Sequence, residues 1–237
     1  MENIKIIKNK IKNFFILKKK LKGKKILITA GSTIEAIDPI RYISNFSSGK
    51  QGYEIANCAY TYGAETILIT GPTNIEPPEV NKIIKVQSAE QMFNESMKIC
   101  KKYKPIDVAF LAAAVSDWKI SKSNKKYKKN ENIFKQIKFK ENKDILHMIS
   151  NLKKNRPKIV CGFAAETNSL ISNARKKLIN KNCDFIFANK ISKKFNPMGN
   201  DFNEISVIGK NNQKKWRKMT KKKIAEKIIQ EVSLYLN

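Results

Sequence analysis

The segment Ser44–Gly52, SNFSSGKQG, holds the residue types best suited to chemistry. It is a polar, glycine-punctuated turn leading into a helix-patterned stretch. Ser47, Ser48 and Gly49 can present hydroxyl and backbone N–H donors to an anion at a helix N-terminus, where unpaired amides and the helix dipole favour negative charge. Asn45, just before them, is uncharged and can both donate and accept. The same residues are equally suited to plain helix capping, and composition alone leaves both readings open.

Other chemistries find less support. His147 is the sole histidine and lies in the helical pattern DILHMI, so a Ser/His or Cys/His pair has one possible base; we read it as structural. Cys58, Cys100, Cys161 and Cys183 show no C-x-x-C spacing, which argues against a zinc knuckle or a disulfide framework. Free cysteines suit a reducing cytoplasm, and Cys161 in KIVCGF reads as a small buried hydrophobe. The run TAGS at Thr29–Ser32 resembles the opening of short-chain dehydrogenases. However, no G-x-G-x-x-G follows Gly31, and no tyrosine has a lysine four residues on: Tyr53 is followed by Asn57 and Tyr127 by Glu131. A G-x-x-x-x-G-K-[ST] loop is also absent. Hydride transfer by the Tyr-Lys mechanism and P-loop chemistry are therefore disfavoured.

The elements that must position these residues alternate. Short apolar runs, KKILITAG, AETILITG, KIIKV, DVAFLAAAV, KIVCGFAAE and DFIFANKI, read as buried strands. Between them, GKQGYEIANCAYTYG places Ile55, Ala56, Ala59 and Tyr60 on one helix face, with Gly63 as its stop. SAEQMFNESMKICKKY opens with Ser88 and Gln91 at capping-box spacing. KDILHMISNLKKN, NSLISNARKKLINKN and TKKKIAEKIIQEVSLYLN are further helices, KQIKFK alternates like a hairpin strand, and NEISVIGKNNQKKWRKM predicts two strands around GKNNQ. Such alternation predicts an α/β fold: a Rossmann-like three-layer sandwich with a mainly parallel sheet and a C-terminal β-hairpin extension. Ligands in such sheets bind at the carboxyl ends of the strands, which selects the loops after LITAG, LAAAV and GFAAE.

The chain has 237 residues, 41% hydrophobic, enough for one domain with a real core. Residues 1–22 form a basic extension and residues 23–237 the folded domain. Ile4, Ile7, Ile11, Phe14 and Phe15 make a helical stripe in that extension, while FFIL is too short for a signal core or a membrane span. A helix packed on the domain, or a leftover linker, is preferred to a helix lying on a membrane surface. The net charge is +28. Nearly all of the excess is lysine travelling with Asn and Ile, and no arginine patch or aromatic stacking set accompanies it. We read it as compositional bias; a non-catalytic basic α/β module binding nucleic acid is the alternative.

DPIRYISNFSSGKQGYEIA, AAAVSDW, KYKK, GFAAET and ANKIS occur in this order and span the chain from about Gly23 to its last helix. Together they resemble phosphopantothenate–cysteine ligase of the bacterial CTP-dependent type. The resemblance implies an enzyme that joins 4'-phosphopantothenate to L-cysteine in coenzyme A biosynthesis, through an acyl-cytidylate, with release of pyrophosphate and CMP. It implies CTP as co-substrate, Mg2+, and a homodimer whose C-terminal hairpin region joins the contact. It also implies a flavin-dependent decarboxylase as a separate chain, since in many bacteria that activity is fused ahead of the ligase.

Residue roles follow from the same resemblance. Asn45 matches the asparagine that handles the carboxylate and acyl-nucleotide. Ala113 and Ala114 match backbone donors to the same group, and Asp117 matches an acid contacting nucleotide and substrate. Lys126, first lysine of KYKK, matches the catalytic lysine, with Lys128 as second choice. Asp144, Ile145 and Leu146 of NKDIL match amides that meet the nucleotide at a helix start, with Asn142 as their cap. Phe163 in GFAAET and the pair Lys177 and Lys181 match nucleotide contacts; the four-residue spacing puts both lysines on one helix face. The chain departs from the family pattern at Ser32, Gln51, Lys143 and Lys190. Lys143 replaces a proline expected in the first helical turn. The magnesium ligands are not identified.

Overall fold

The computed structural model describes Ile4 and residues 20–128, 137–192 and 195–236. The stripe expected in the N-terminal extension lies almost wholly outside these residues, as does the start of the KQIKFK strand. Leu21 is already core, 2% exposed, with its amide donated to Tyr62 O.

An eight-stranded sheet runs in the order β12-β11-β10-β9-β6-β1-β4-β5. Its parallel part comprises β1 (Lys25–Ala30), β4 (Glu65–Thr70), β5 (Lys82–Lys85), β6 (Val108–Leu111), β9 (Ile159–Glu166) and β10 (Phe185–Lys190). β11 (Phe202–Gly209) and β12 (Gln213–Thr220) add antiparallel at one end, so the predicted hairpin extends the main sheet. The fold is the expected three-layer sandwich.

Alternation along the strands feeds two cores. Ile26, Ile28, Leu68, Phe110 and Phe187 face α1 (Lys50–Thr61) and α5 (Lys221–Ser233), which bring Ile55, Ala59, Ile224 and Ile228. Leu27, Ile67, Ile69 and Val160 face α2 (Ala89–Lys102), α3 (Ile145–Ser150) and α4 (Leu170–Lys181). Full burial of each large side chain contributes about 1.5–3 kcal/mol, so the strands that lead into the loops of interest are the most firmly held. The capping box at the start of α2 is complete: Ser88 Oγ accepts from Gln91 N, and the Gln91 side chain accepts from Ser88 N.

Several local expectations need correction. The long polar loop after β1 carries its own hairpin, β2 (Ile34–Ala36) with β3 (Tyr42–Ser44), and β7 (Trp118–Ile120) pairs with β8 (Phe139–Glu141). α3 has only six residues. Its cap is Asp144, whose side chain accepts from His147 N, and not Asn142, which donates instead to Ser116 O. Lys143 therefore precedes the cap and lies outside the first turn, where its ammonium rests 4.6 Å from the Phe93 ring. The strand in DVAFLAAAV ends at Leu111, because the chain turns after it to bring Ala114 beside Ser32.

Lys221, first residue of α5, is 4% exposed. Burial, and secondarily the charge of Lys50, lowers its pKa from the usual 10.5 to about 8, against a smaller opposing pull from Asp201. The folded state thus gives up this proton before the unfolded chain does, so stability should rise as pH climbs from about 8 towards 10.5. Lys221→Met should flatten that rise and move the urea midpoint upward at pH 7. A variant with the wild-type pH profile would contradict this.

Candidate active site

The loops after β1, β4 and β6 close on one another at the carboxyl ends of their strands. A Cβ on Gly71 would lie 1.8 Å from Ser32 O, backbone against backbone. Gly49, at φ +75°, is the cap residue of α1, and a Cβ there would lie 2.6 Å from Thr73 Cγ2. Such contact requires residues without side chains, with Gly49 also in the left-handed region. The serines before it turn inward: Ser47 Oγ accepts from Gly49 N at 3.3 Å and Ser48 Oγ from Lys50 N at 3.5 Å. These are local bonds across two residues within the loop, and no side chain caps α1 at Gly49.

Asn45 and Ala114, 69 residues apart in sequence, are in contact: Asn45 Nδ2 donates to Ala114 O at 3.0 Å. That carbonyl also accepts from Thr33 N at 3.2 Å, and Ser32 bridges Ala114 in parallel register. The amides of both alanines are already committed, Ala113 N to Thr29 Oγ1 at 3.3 Å and Ala114 N to Gly31 O at 2.8 Å. Both bonds run within the fold. What the residues offer a substrate is small side chains and an approachable backbone.

A second group assembles on the neighbouring strand. Lys177 Nζ donates to Phe163 O at 2.9 Å, and Lys181 Nζ pairs with Asp144 Oδ2 at 2.7 Å. Four residues from three separated motifs are thus joined along one face of α4. Leu146 lies over Gly162, where a Cβ would come within 2.5 Å of Leu146 Cδ2. Ile145 is buried while Leu146 is half-buried at the open end of β9. Burial pushes the Asp144 carboxyl up, but the His147 amide and the Lys181 ammonium outweigh it and hold the group below its usual range. His147 Nδ1 lies 3.3 Å from Asn180 O, linking α3 to α4, as a structural role requires.

Asp117 joins the two groups through its backbone, since its carbonyl accepts from Asn142 N at 2.8 Å and its side chain is exposed. Lys126 and Lys128 are exposed on the segment after β7, which docks against the turn between β2 and β3 through Ser123 N to Ile37 O, 2.9 Å.

Residues 21–235 match the DNA/pantothenate metabolism flavoprotein C-terminal domain. The chain belongs to that family. It is 43% identical over 222 residues to the coenzyme A biosynthesis bifunctional protein CoaBC of Borreliella burgdorferi, covering 92% of this chain and 55% of that protein. The chain thus spans about half the length of the curated relatives it matches. A crystal structure of the C-terminal domain of a CoaBC protein superposes with a TM-score of 0.76 at 34% identity, covering 92% of this chain and 98% of that one. A Cab2 mutant in complex with phosphopantothenate-cysteine shares the fold at a TM-score of 0.63 and 16% identity, covering 100% and 94%.

Within this flavoprotein C-terminal domain fold, two further residues matter that sequence reasoning passed over. Glu35, on β2, is 7% exposed and accepts the Ala89 amide at 2.9 Å, tying the hairpin to the start of α2. Burial raises its pKa against the hydrogen bonds that lower it. Asp38, at the hairpin turn, has a fully buried side chain paired with Arg41. Their signal lay in the motif itself, as charged residues inside an otherwise loop-like run.

All four cysteines are free and buried, and burial raises Cys58 and Cys183 to about 12 and Cys100 to about 11. Cys161 is pushed well above its usual value. Their thiolates are scarcely accessible at neutral pH, so none is suited to serve as a covalent nucleophile. Among the described residues, no helix is long and apolar enough to cross a membrane, and no cluster of three His, Cys, Asp or Glu could hold a metal ion.

Proposed function

We propose that the chain joins 4'-phosphopantothenate to L-cysteine, with CTP as the activating nucleotide. A carboxylate is a poor electrophile until its oxygen carries a good leaving group. In the first step the substrate carboxylate oxygen bonds to the α-phosphorus of CTP and pyrophosphate leaves. The cysteine amine then bonds to the carbonyl carbon, CMP leaves, and the amine loses a proton as the amide forms. No step requires a nucleophilic side chain; positioning two substrates and stabilising charge suffices.

The observations that carry this reading are the contact of Asn45 with Ala114 after β6 and the bonds that join Lys177 to Phe163 on β9 and Lys181 to Asp144. The first group suits a reacting carboxylate. Asn45 is neutral, so it does not lock the carboxylate into its ground state as a cation would. The second suits a triphosphate. The Lys177 ammonium donates to Phe163 O, and an ammonium carries three N–H groups, so others can meet phosphate oxygens. The amides of Ile145 and Leu146 lie in the first turn of α3, where a helix leaves N–H groups without an intrahelical partner. Phe163 offers an apolar surface and Lys126 a cation on a docked segment. Mg2+ fits as an ion carried mainly by the nucleotide phosphates, since Mg2+ seldom uses an all-protein cage; it would supply charge neutralisation.

Two companions complete the proposal. The exposed aromatics Tyr42, Phe46, Trp118 and Phe139, with Phe46 96% exposed, lie on or beside the two small sheets and add to the hairpin edge as surface for a homodimer. A monomer mass by light scattering would remove the dimer. The product retains the cysteine carboxylate, so a phosphopantothenoylcysteine decarboxylase activity would consume it. The buried thiols suit a cytoplasmic setting.

Equilibrium binding of CTP and ATP tests the nucleotide site. CTP should bind more tightly than ATP, and Lys177→Met should weaken CTP about tenfold, near 1.4 kcal/mol. Equal binding of both nucleotides, unaffected by that substitution, would move the nucleotide elsewhere.

A further inference from the structure

The turn Asp38–Arg41 contains more wiring than a turn needs. Asp38 Oδ1 accepts from Ile40 N at 2.9 Å and Arg41 N at 2.8 Å, which closes the turn. Asp38 Oδ2 accepts from Arg41 Nε at 2.9 Å, from Arg41 Nη2 at 2.6 Å, and from Tyr127 N at 3.3 Å. Arg41 Nη2 donates in turn to Tyr127 O at 2.8 Å. Both backbone polar groups of Tyr127, 89 positions from Asp38, are thus held by one buried carboxylate and its arginine partner.

We propose that Asp38 is a positioning residue for the reaction: it holds the segment bearing Lys126 in place through Arg41 and the Tyr127 backbone. The proposal rests on the ligase reading, in which Lys126 acts on the substrates. The segment is fixed on both sides of that lysine. Before it, Ser123 N donates to Ile37 O at 2.9 Å and Ser123 Oγ to Lys125 O at 2.7 Å. After it, Tyr127 is held as described. Lys126 itself stays exposed.

The same hairpin carries Asn45 at its other end. Ser44 pairs with Ile34 and donates through Oγ to Thr33 O at 2.8 Å, and Asn45 follows directly. β2 and β3 therefore form one rod with the Asn45 contact at one end and the Lys126 anchor at the other. Over the four residues from Arg41 to Asn45 an extended chain spans about 13 Å, so the hairpin sets the spacing between these groups. Charge-assisted bonds of the Asp38–Arg41 kind are short and directional. Arginine is needed because its planar fork reaches two acceptors at once, which an ammonium on a flexible stem does less well.

The test compares Asp38→Asn and Arg41→Lys with the wild-type full chain. In Asp38→Asn, the new amide would face the donors of Arg41 and Tyr127. Arg41→Lys keeps the charge without the fork, and serves should Asp38→Asn fail to fold. Backbone amide exchange at residues 123–127 should speed up about tenfold in either variant, while exchange in β1 stays unchanged. Turnover number should fall about tenfold with KM for cysteine within about twofold, and Asp38→Asn added to Lys126→Gln should cost nothing more, as expected of coupled residues. Unchanged exchange at Tyr127 in folded variants, or losses that simply add to that of Lys126→Gln, would overturn the proposal. Absence of any turnover in the wild-type chain would instead overturn the ligase reading. In that case exchange at Tyr127 alone decides whether Asp38 anchors the segment.

Discussion

Asn45→Asp is expected to lower steady-state turnover about 100-fold, the scale seen when one donor is removed from a charge-stabilising site. The Asn45 Nδ2 group donates to Ala114 O. A carboxylate has no hydrogen to donate, so two acceptors would face each other, and the side chain would move away or take up a proton. It would also set a third negative charge beside a substrate carboxylate and a nucleotide phosphate. The loss should fall mainly on conversion of the acyl-nucleotide. One pyrophosphate per site should still be released in a first burst, followed by slow turnover. A variant with wild-type turnover would remove Asn45 from the reaction.

Gly71→Ala should be the most damaging single-methyl change. The added carbon would sit 1.8 Å from Ser32 O. Neither partner is a flexible side chain that can swing aside, so the loops after β1 and β4 must part. Overpacking of this kind costs about 1–3 kcal/mol, and more where backbone must shift. In a domain of this size each kcal/mol lowers the melting midpoint by roughly 2–4 °C. Displacing Ser32 also disturbs its bridge to Ala114, the acceptor of Asn45. Turnover should therefore fall further than the loss of folded protein explains. A Gly71→Ala protein with the wild-type midpoint and wild-type turnover would show that this close approach has no role.

The long-range architecture was readable because burial writes it into composition. β1, β4, β6, β9 and β10 are continuous apolar runs, since strands covered on both faces need no polar alternation. The start of α2 was readable from the chemistry of Ser88 and Gln91 alone. β2, β3 and β7 were not, because three residues are too few to show a period. Asn142 and Asp144 are both capping residue types two positions apart; only the path of the backbone selects Asp144. Asn45 stood out in its polar, glycine-punctuated turn but took its role from resemblance, and Asp144, Phe163, Lys177 and Lys181 were named through resemblance alone. Lysine is so frequent here that the spacing of Lys177 and Lys181 carries little weight until Phe163 O and Asp144 are seen beside them. The Asp38–Tyr127 link was hidden for the same reason as the Asn45–Ala114 contact: neither leaves a trace in the residues adjacent to it.

Pyrophosphate release by the purified full chain, with 4'-phosphopantothenate and Mg2+, tests the central claim most directly. It should be measured with CTP and with ATP, each with and without cysteine. The ligase account predicts release that depends on phosphopantothenate, favours CTP over ATP, and rises from about one turnover per site to continuous turnover when cysteine is added. No release with either nucleotide, from protein shown to be folded, would contradict it, and salt-sensitive binding of nucleic acid by the lysine-rich surface would then become the reading to test.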